Sequence, residues 1–462
     1  MMHISFNEKG LSLILIVFIL LLTLVAAGLV VKVPVNIAIG TGIAVSVFII
    51  SFISVDISLY VLIFSMMLSP EFGVRVGGGE GGMEVARAVA IRFEDILLIV
   101  IGFSWLVRMA VYKELGLLLK TPLNRYIRNY AIACVIATVW GMMTGRVVFR
   151  SGFFFVLKYI EYFVVFFIAV NNIHERTQVR NYTLALVLTC IIVSIVGIAQ
   201  IPSGERVSAP FEGEIGEPNT FGGYLVLMFS MLGGLFLTSE SNKQKIGYML
   251  IAMLILVPFV FTLSRSSWLA FLPMYITLTI LSEKKKLLIT GLIIMISFGP
   301  FLLPKQVSRR ALETFKQEIQ VGQKKIGGVS IDTSTSARIE SWQNALRDFR
   351  KHPILGYGVT GYGFVDAQYP KVLMDTGIVG FIVFAMLLAA LIRQGVHTFN
   401  SVTDKFYKGL SMGFVAGTIA MMTHAIGSNT FIIVRIMEPY WFFAAIVILL
   451  PTLEAEERQK EV

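Results

Sequence analysis

Arginine is the side chain to follow in this sequence. Arg265 stands in Thr262-Leu-Ser-Arg-Ser-Ser-Trp268, wedged between two apolar runs, and its planar fork of donors suits phosphate and carboxylate oxygens. An arginine at a helix end can also snorkel to the interface. Around Arg265, however, the small hydroxyl residues Ser264, Ser266 and Ser267 leave room for a bulky polar head group. Further along, Pro304 to Lys371 is the one long polar interval, with ten Lys or Arg against six acids before Lys371. Arg309, Arg310 and Arg338 fall within it, and it closes on the aromatic, glycine-rich Gly356-Tyr-Gly-Val-Thr-Gly-Tyr-Gly363 and on Asp366-Ala-Gln-Tyr369. A basic lid set in apolar surroundings predicts an anionic ligand.

Other polar groups are candidates by type and spacing. Lys158 and Glu161, three residues apart in an apolar run, share a helix face; such a pair either neutralises itself or lines an interior cavity. The connection from Glu205-Arg206 to Glu217-Pro-Asn219 is acidic, with Glu212 and Glu214 between, and faces the basic lid. Asn219 stands at a helix start, where it suits an N-cap. His424, Asn429, Arg435 and Glu438 gather near the end of the last two apolar runs, yet no histidine pair has zinc-ligand spacing, so no metal is expected. Gly356-Tyr-Gly-Val-Thr-Gly361 spells a dinucleotide fingerprint, but the strand and helix that would give it meaning are missing. Cys134 and Cys190 lie in separate apolar runs, which excludes a disulfide framework and a thiolate metal site. No cofactor is expected.

The elements that position these groups are apolar helices. With 56% hydrophobic and 15% charged residues in 462 and a mean hydropathy of +0.78, the chain is no ordinary soluble domain. The expected fold is an all-α polytopic membrane protein with about fourteen spans, or twelve to fourteen if the short runs near Asp56 form a broken hairpin. Spans are expected at 11–30, 35–53, 57–69, 94–112, 129–144, 152–172, 181–200, 219–238, 246–264, 267–282, 287–303, 372–392, 409–428 and 437–452. The expected domains are 1–303 (transmembrane helices), 304–371 (an extracytoplasmic lid loop) and 372–462 (the last helices and a tail). Basic connections at 108–128, 174–180, 243–245, 284–286 and 393–408 fix the orientation, with both termini cytoplasmic and the lid outside. The glycine-rich 70–92 connection reads as a surface loop. In the lid, Val307, Ala311, Phe315 and Ile319 define an amphipathic helix. A second is expected over 336–351, with Ile339, Trp342, Leu346 and Phe349 on one face and Gly327-Gly328 between the two helices.

The run Ser264-Arg-Ser-Ser-Trp-Leu-Ala270 resembles the Ser-Arg-Gly-x-Trp-Leu motif of the O-antigen ligase and polymerase superfamily. The likeness continues in order through Arg338-Ile-Glu-Ser-Trp342, Phe349-Arg-Lys-His-Pro-Ile-Leu-Gly-Tyr-Gly358, Asp366-Ala-Gln-Tyr369 and Asp375-Thr-Gly-Ile-Val-Gly380, with Lys158-Tyr-Ile-Glu161 and Glu217-Pro-Asn219 ahead of it. What the resemblance implies is a GT-C-like, metal-independent glycosyltransferase of the cytoplasmic membrane. It would act at the outer face on polyprenyl-diphosphate-linked oligosaccharide, with a glycan or lipid acceptor. Its implied partners are membrane lipids and chain-length-regulating or other polysaccharide-assembly proteins, and no nucleic acid. Ligases of the family carry a His-Asn motif at the end of the lid, whereas Val365-Asp-Ala-Gln-Tyr369 has no histidine, which favours a polymerase.

On that resemblance Arg265 and Arg338 would clamp the diphosphate, helped by Arg206 and Arg309 or Arg310, and Asp366 would take the acceptor proton, with Glu212, Glu214 and Glu217 behind it. Trp342, Tyr357, Tyr362 and Tyr369 would meet sugar rings, and Lys158, Glu161, Asn219, Gln368, His424 and Arg435 would complete the substrate contacts. A secondary transporter or lipid-linked oligosaccharide flippase is the alternative, and would carry its ionisable residues near the bilayer midplane.

Overall fold

The computed structural model describes residues 35–69, 71–76, 89–112, 119–211, 216–302, 304–316, 325–326, 329–330, 333–363 and 365–461. The span expected at 11–30, the acids Glu212 and Glu214, and Gly327-Gly328 lie outside them. The chain opens with α1 (Val35–Ile53) and α2 (Val55–Leu68), then a ribbon of β1 (Glu71–Val76) and β2 (Val89–Arg92) that leads into α3 (Phe93–Tyr112). Next come α4 (Asn124–Met143), α5 (Phe149–Asn172), α6 (Arg176–Gln200), α7 (Pro218–Thr238), α8 (Asn242–Phe261), α9 (Arg265–Leu281) and α10 (Lys285–Leu302). The polar interval holds α11 (Lys305–Lys316), the short strands β3 (Lys325–Ile326) and β4 (Val329–Ser330), and α12 (Thr333–Phe349). Three long helices finish the chain: α13 (Gln368–Ser401), α14 (Lys405–His424) and α15 (Val434–Glu461).

Among the described residues, six helices are long and apolar enough to cross a membrane: Phe149–Asn172, Arg176–Ser203, Pro218–Thr238, Asn242–Phe261, Gln368–Ser401 and Val434–Lys460. Apolar outward faces, on these helices and on α10, accord with a membrane setting. Ile246, Leu250 and Met253 of α8 are exposed, as are Ile289, Ile293 and Phe301 of α10, an apolar surface that water would not tolerate at this extent. The protein is a multi-pass membrane protein.

Two compact units divide the chain, one formed by Met1–Leu59 with Ile96–Leu115, the other by Tyr60–Asp95 with Gly116–Val462. In the first, Ser104 Oγ of α3 donates to the Phe48 carbonyl of α1 at 3.4 Å, and the Phe48 and Phe103 rings lie 6.0 Å apart. In the second, α7 and α15 are the central helices, each 89% buried along its apolar window. The closest approach is between α7 and α14. A Cβ added to Gly234 would lie 2.1 Å from the Gly409 carbonyl oxygen, and Gly413 and Gly417 continue the same stripe against Ser230. Lipid offers no hydrophobic drive to helix pairing, so small residues that let backbones touch supply the packing.

Within the second unit, the end of the lid is tied to α13 through a break in that helix. Gly377 has φ +66° and ψ −168°, which interrupts the helix and frees backbone groups that must find other partners. The 353–358 loop supplies them: Tyr357 N–H donates to Met374 O (2.8 Å), Gly358 N–H to Asp375 O (3.0 Å), and Ile378 N–H to Pro353 O (2.9 Å). The loop fits because Gly356 has φ +68°, and a Cβ there would lie 2.4 Å from Met374 O. The glycines of the false dinucleotide fingerprint therefore serve this interlock.

Two local expectations are corrected. The 70–92 connection is framed by strands, with Glu71 opposite Arg92 and Val76 opposite Val89, rather than being wholly loop. In α12 the inward stripe is Arg338, Trp342, Ala345 and Phe349, with Ala345 1% exposed, while Leu346 faces out at 55%. The packing partners Val365 and Met374 leave room for a small residue, so the stripe turns by one position from the one that apolar character alone suggests.

Candidate functional site

The arginines converge at the head of α9. Ser264 caps that helix, its side chain accepting from Ser267 N, and so fixes Arg265 at the first helical position. Leu263, with φ +50°, turns the chain so that the Thr262 and Leu263 carbonyls face the 201–217 connection. Arg206 reaches across to them: its Nε donates to Thr262 O at 3.0 Å and its Nη2 to Leu263 O and to Asn219 Oδ1 at 3.4 Å. Although exposed, the Arg206 guanidinium is pushed down to about 10, first by partial desolvation and then by the positive charges of Arg310, Arg265 and Arg338. Guanidinium groups from α9, α11 and α12 thus act on the one from the 201–217 connection. Arg309 stands beside Arg310 on α11 and is exposed.

From the lid side, Arg338 Nε donates to Asp366 Oδ2 at 2.8 Å, with the two side chains 22% and 33% exposed. Trp342 Nε1 donates to the Asp366 carbonyl at 3.1 Å. The α12 stripe therefore holds the segment after the glycine-rich loop by both its backbone and its carboxylate. Asn429 Nδ2 donates to Val365 O, so Asp366 is fixed from two directions.

Behind the arginines lies a buried polar chain. Ser264 Oγ donates to Asn219 Oδ1 at 2.8 Å and lies 2.7 Å from Ser267 Oγ. His424 Nε2 lies 3.2 Å from Ser267 Oγ and 3.5 Å from Ser266 Oγ, and its Nδ1 lies 2.7 Å from Thr430 Oγ1. His424 and Thr430 are fully buried. Glu217 holds the N-cap position of α7 without a side-chain cap bond, its Oε2 accepting from Thr220 Oγ1 at 2.9 Å, and Asn219 sits two positions past the cap.

Several candidates lie elsewhere or carry other partners. Lys158 bonds Asp95 and, at 3.2 Å, Glu161, a half-buried trio at the start of α3 and along α5. Arg435 is fully buried, its guanidinium taken by the backbone carbonyls of Pro210, Ser69 and Phe211. Tyr357 donates to Asp348 O and Tyr362 to Asp348 Oδ2, at 3.0 and 2.8 Å. Their rings, 5.1 Å apart, meet Arg146 over the Tyr357 face at 5.8 Å. Gln368 is buried and accepts from Phe431 N through Oε1, and the Tyr369 hydroxyl donates to Met422 O. Thr430, Asp95 and Arg146 were not singled out from the sequence. Asp95 stood beside Glu94 at a helix start, a visible acid, but Thr430 carried no signal among ordinary apolar neighbours.

Candidate membrane-spanning helices with arginines drawn from α9, α11, α12 and the 201–217 connection are the features to set beside known families. Residues 248–385 match the family model described as O-antigen ligase, and this stretch holds Arg265, Arg310, Arg338 and Asp366. Over this stretch the chain is similar to that family, in keeping with the resemblance read from the motifs. No curated protein matches the chain. Arg206, Asn219 and His424 lie outside the matched residues.

Proposed function

We propose that this protein is a glycosyltransferase that transfers or polymerises polyprenyl-diphosphate-linked glycan units at the outer face of the cytoplasmic membrane, as a polymerase rather than a ligase. The observation that supports the reading is that Arg265, Arg310 and Arg338, from three separate helices, all bring positive charge to bear on Arg206. Two like charges 8 Å apart repel by about 2 kcal/mol at an effective dielectric of 20, and a bound diphosphate relieves that repulsion. In the transfer, the bond from the anomeric carbon of the donor sugar to the diphosphate oxygen breaks as the acceptor oxygen bonds to that carbon. The leaving diphosphate keeps the electron pair, and the guanidinium forks neutralise it without a metal ion. Asp366, oriented by Arg338, receives the acceptor proton. A polymerase is favoured because the lid ends in Asp366-Ala-Gln-Tyr369 without a histidine. The intramembrane pair of Lys158 with Glu161 is satisfied by Asp95, which gives no support to a transport route through it.

The test is Arg265→Ala in cells that make the polymer. Product is expected to vanish, with the protein inserted and expressed at its normal level, because loss of one preorganised donor costs about 100-fold or more. A wild-type product distribution from that variant refutes the clamp.

A further inference from the structure

The buried chain behind the arginines admits one direction only. Asn219 must turn its amide oxygen toward Arg206, since a guanidinium can only donate, and the Ser264 hydroxyl therefore gives its single proton to Asn219 Oδ1. The 2.7 Å separation between Ser264 and Ser267 needs a proton between two oxygens, and only Ser267 has one to give. Ser267 Oγ is then an acceptor toward His424, so Nε2 carries hydrogen. Nδ1 is left bare and accepts from the Thr430 hydroxyl at 2.7 Å. Ser266, 3.2 Å from Ser264 and 3.5 Å from Nε2, can join the same chain without reversing it.

We propose that His424 is a positioning residue: as the neutral Nε2–H tautomer it ends a one-way relay, Thr430 to His424 to Ser267 to Ser264 to Asn219, that holds the Asn219 oxygen as the dock for Arg206. The imidazole touches no substrate. It sits fully buried beneath α9, and Gly223 of α7 leaves it room, since a Cβ there would lie 3.1 Å from Cε1. Through this chain the orientation of the arginine outside the matched region depends on a histidine more than two hundred residues away in sequence. The inference rests on the arginine cluster being the diphosphate site, but its central arm does not.

That arm is the nitrogen-15 spectrum of the histidine-labelled protein in detergent at neutral pH, with no ligand added. A neutral His424 signal with hydrogen on Nε2, displaced in Thr430→Val, is the expected result. An imidazolium or an Nδ1–H signal overturns the proposal whatever the protein binds.

The second arm measures binding of farnesyl diphosphate, with inorganic diphosphate as the headgroup-only control. His424→Phe is expected to weaken binding about tenfold, while His424→Gln, whose amide can place a donor near Nε2, recovers most of it. Adding His424→Phe to Arg206→Ala should cost nothing further. Additive losses, or wild-type binding in His424→Phe, refute the relay. Thermal unfolding of each variant separates lost folding from lost positioning. Should wild type bind neither probe while the tautomer is as stated, the diphosphate reading falls and the hydrogen-bond chain stands.

Discussion

At the scale of single residues, the account turns on geometry that only arginine supplies. Arg338 gives Nε to Asp366, and its outer nitrogens form a fixed planar fork, whereas the three donors of a lysine ammonium radiate from a single point. Arg338→Lys is therefore expected to lower transfer by about tenfold to 100-fold, read as product formed per minute by purified protein; unchanged turnover would show that charge alone suffices. Asp366→Asn removes the proton acceptor and loosens Arg338 together, so its loss should exceed that of Arg338→Lys across a pH series. Much of this was legible beforehand: an arginine among serines between two apolar runs is conspicuous, and Arg265, Arg338 and Asp366 stood out by type. Their partners did not. The Arg338–Asp366 bond joins residues twenty-eight apart, and Thr430 gains meaning only from the imidazole beside it.

At the scale of elements, helices were readable and their facing was not. Apolar runs announced the lipid-length helices, because backbone groups in lipid must be satisfied within their own helix, but α13 runs on to Ser401 and α15 to Glu461, well past the expected ends at 392 and 452. The inward stripe of α12 was misphased because it carries Arg338 and Ala345, neither of which looks like core. The β1–β2 ribbon was missed because its strands are short and flank a glycine-rich connection. Gly409, Gly413 and Gly417 recur every fourth residue and could have marked the α14 contact. Gly234→Val forces a Cβ to within 2.1 Å of a carbonyl oxygen, and should destabilise the protein by about 1–3 kcal/mol, measured as a lowered unfolding temperature in detergent. An unchanged temperature would mean that α7 and α14 are not in contact.

The foot of the lid adds a pH dependence at the same scale. Lys351 and Tyr362 donate to Asp348 and hold its carboxyl below the usual carboxylate range, while burial and then Asp348 push Tyr362 up to about 12. A depressed carboxylate contributes stability that is present above about pH 4 and lost as pH falls through the lower folded value. Pepsin should therefore cut the 350–363 loop in Asp348→Asn but not in wild type at pH 5, and cut both alike at pH 2. Equal cutting at both pH values would dissociate Asp348 from the lid.

At the scale of the whole molecule, the second unit holds the candidate spans, the arginines and the lid. The proposed transfer needs neither a gradient nor nucleotide, because the diphosphate bond of the donor would carry the energy. Purified protein in detergent, with chelator present, should elongate lipid-linked oligosaccharide and release one polyprenyl diphosphate per linkage. Activity confined to sealed vesicles with a gradient would instead favour transport. The most direct test is a structure with a polyprenyl diphosphate bound. The account predicts both phosphates within hydrogen-bonding reach of Arg265 and Arg338, with Arg206 still docked on Asn219; phosphates seated elsewhere, at Lys158 or at the opposite ends of the helices, would contradict it.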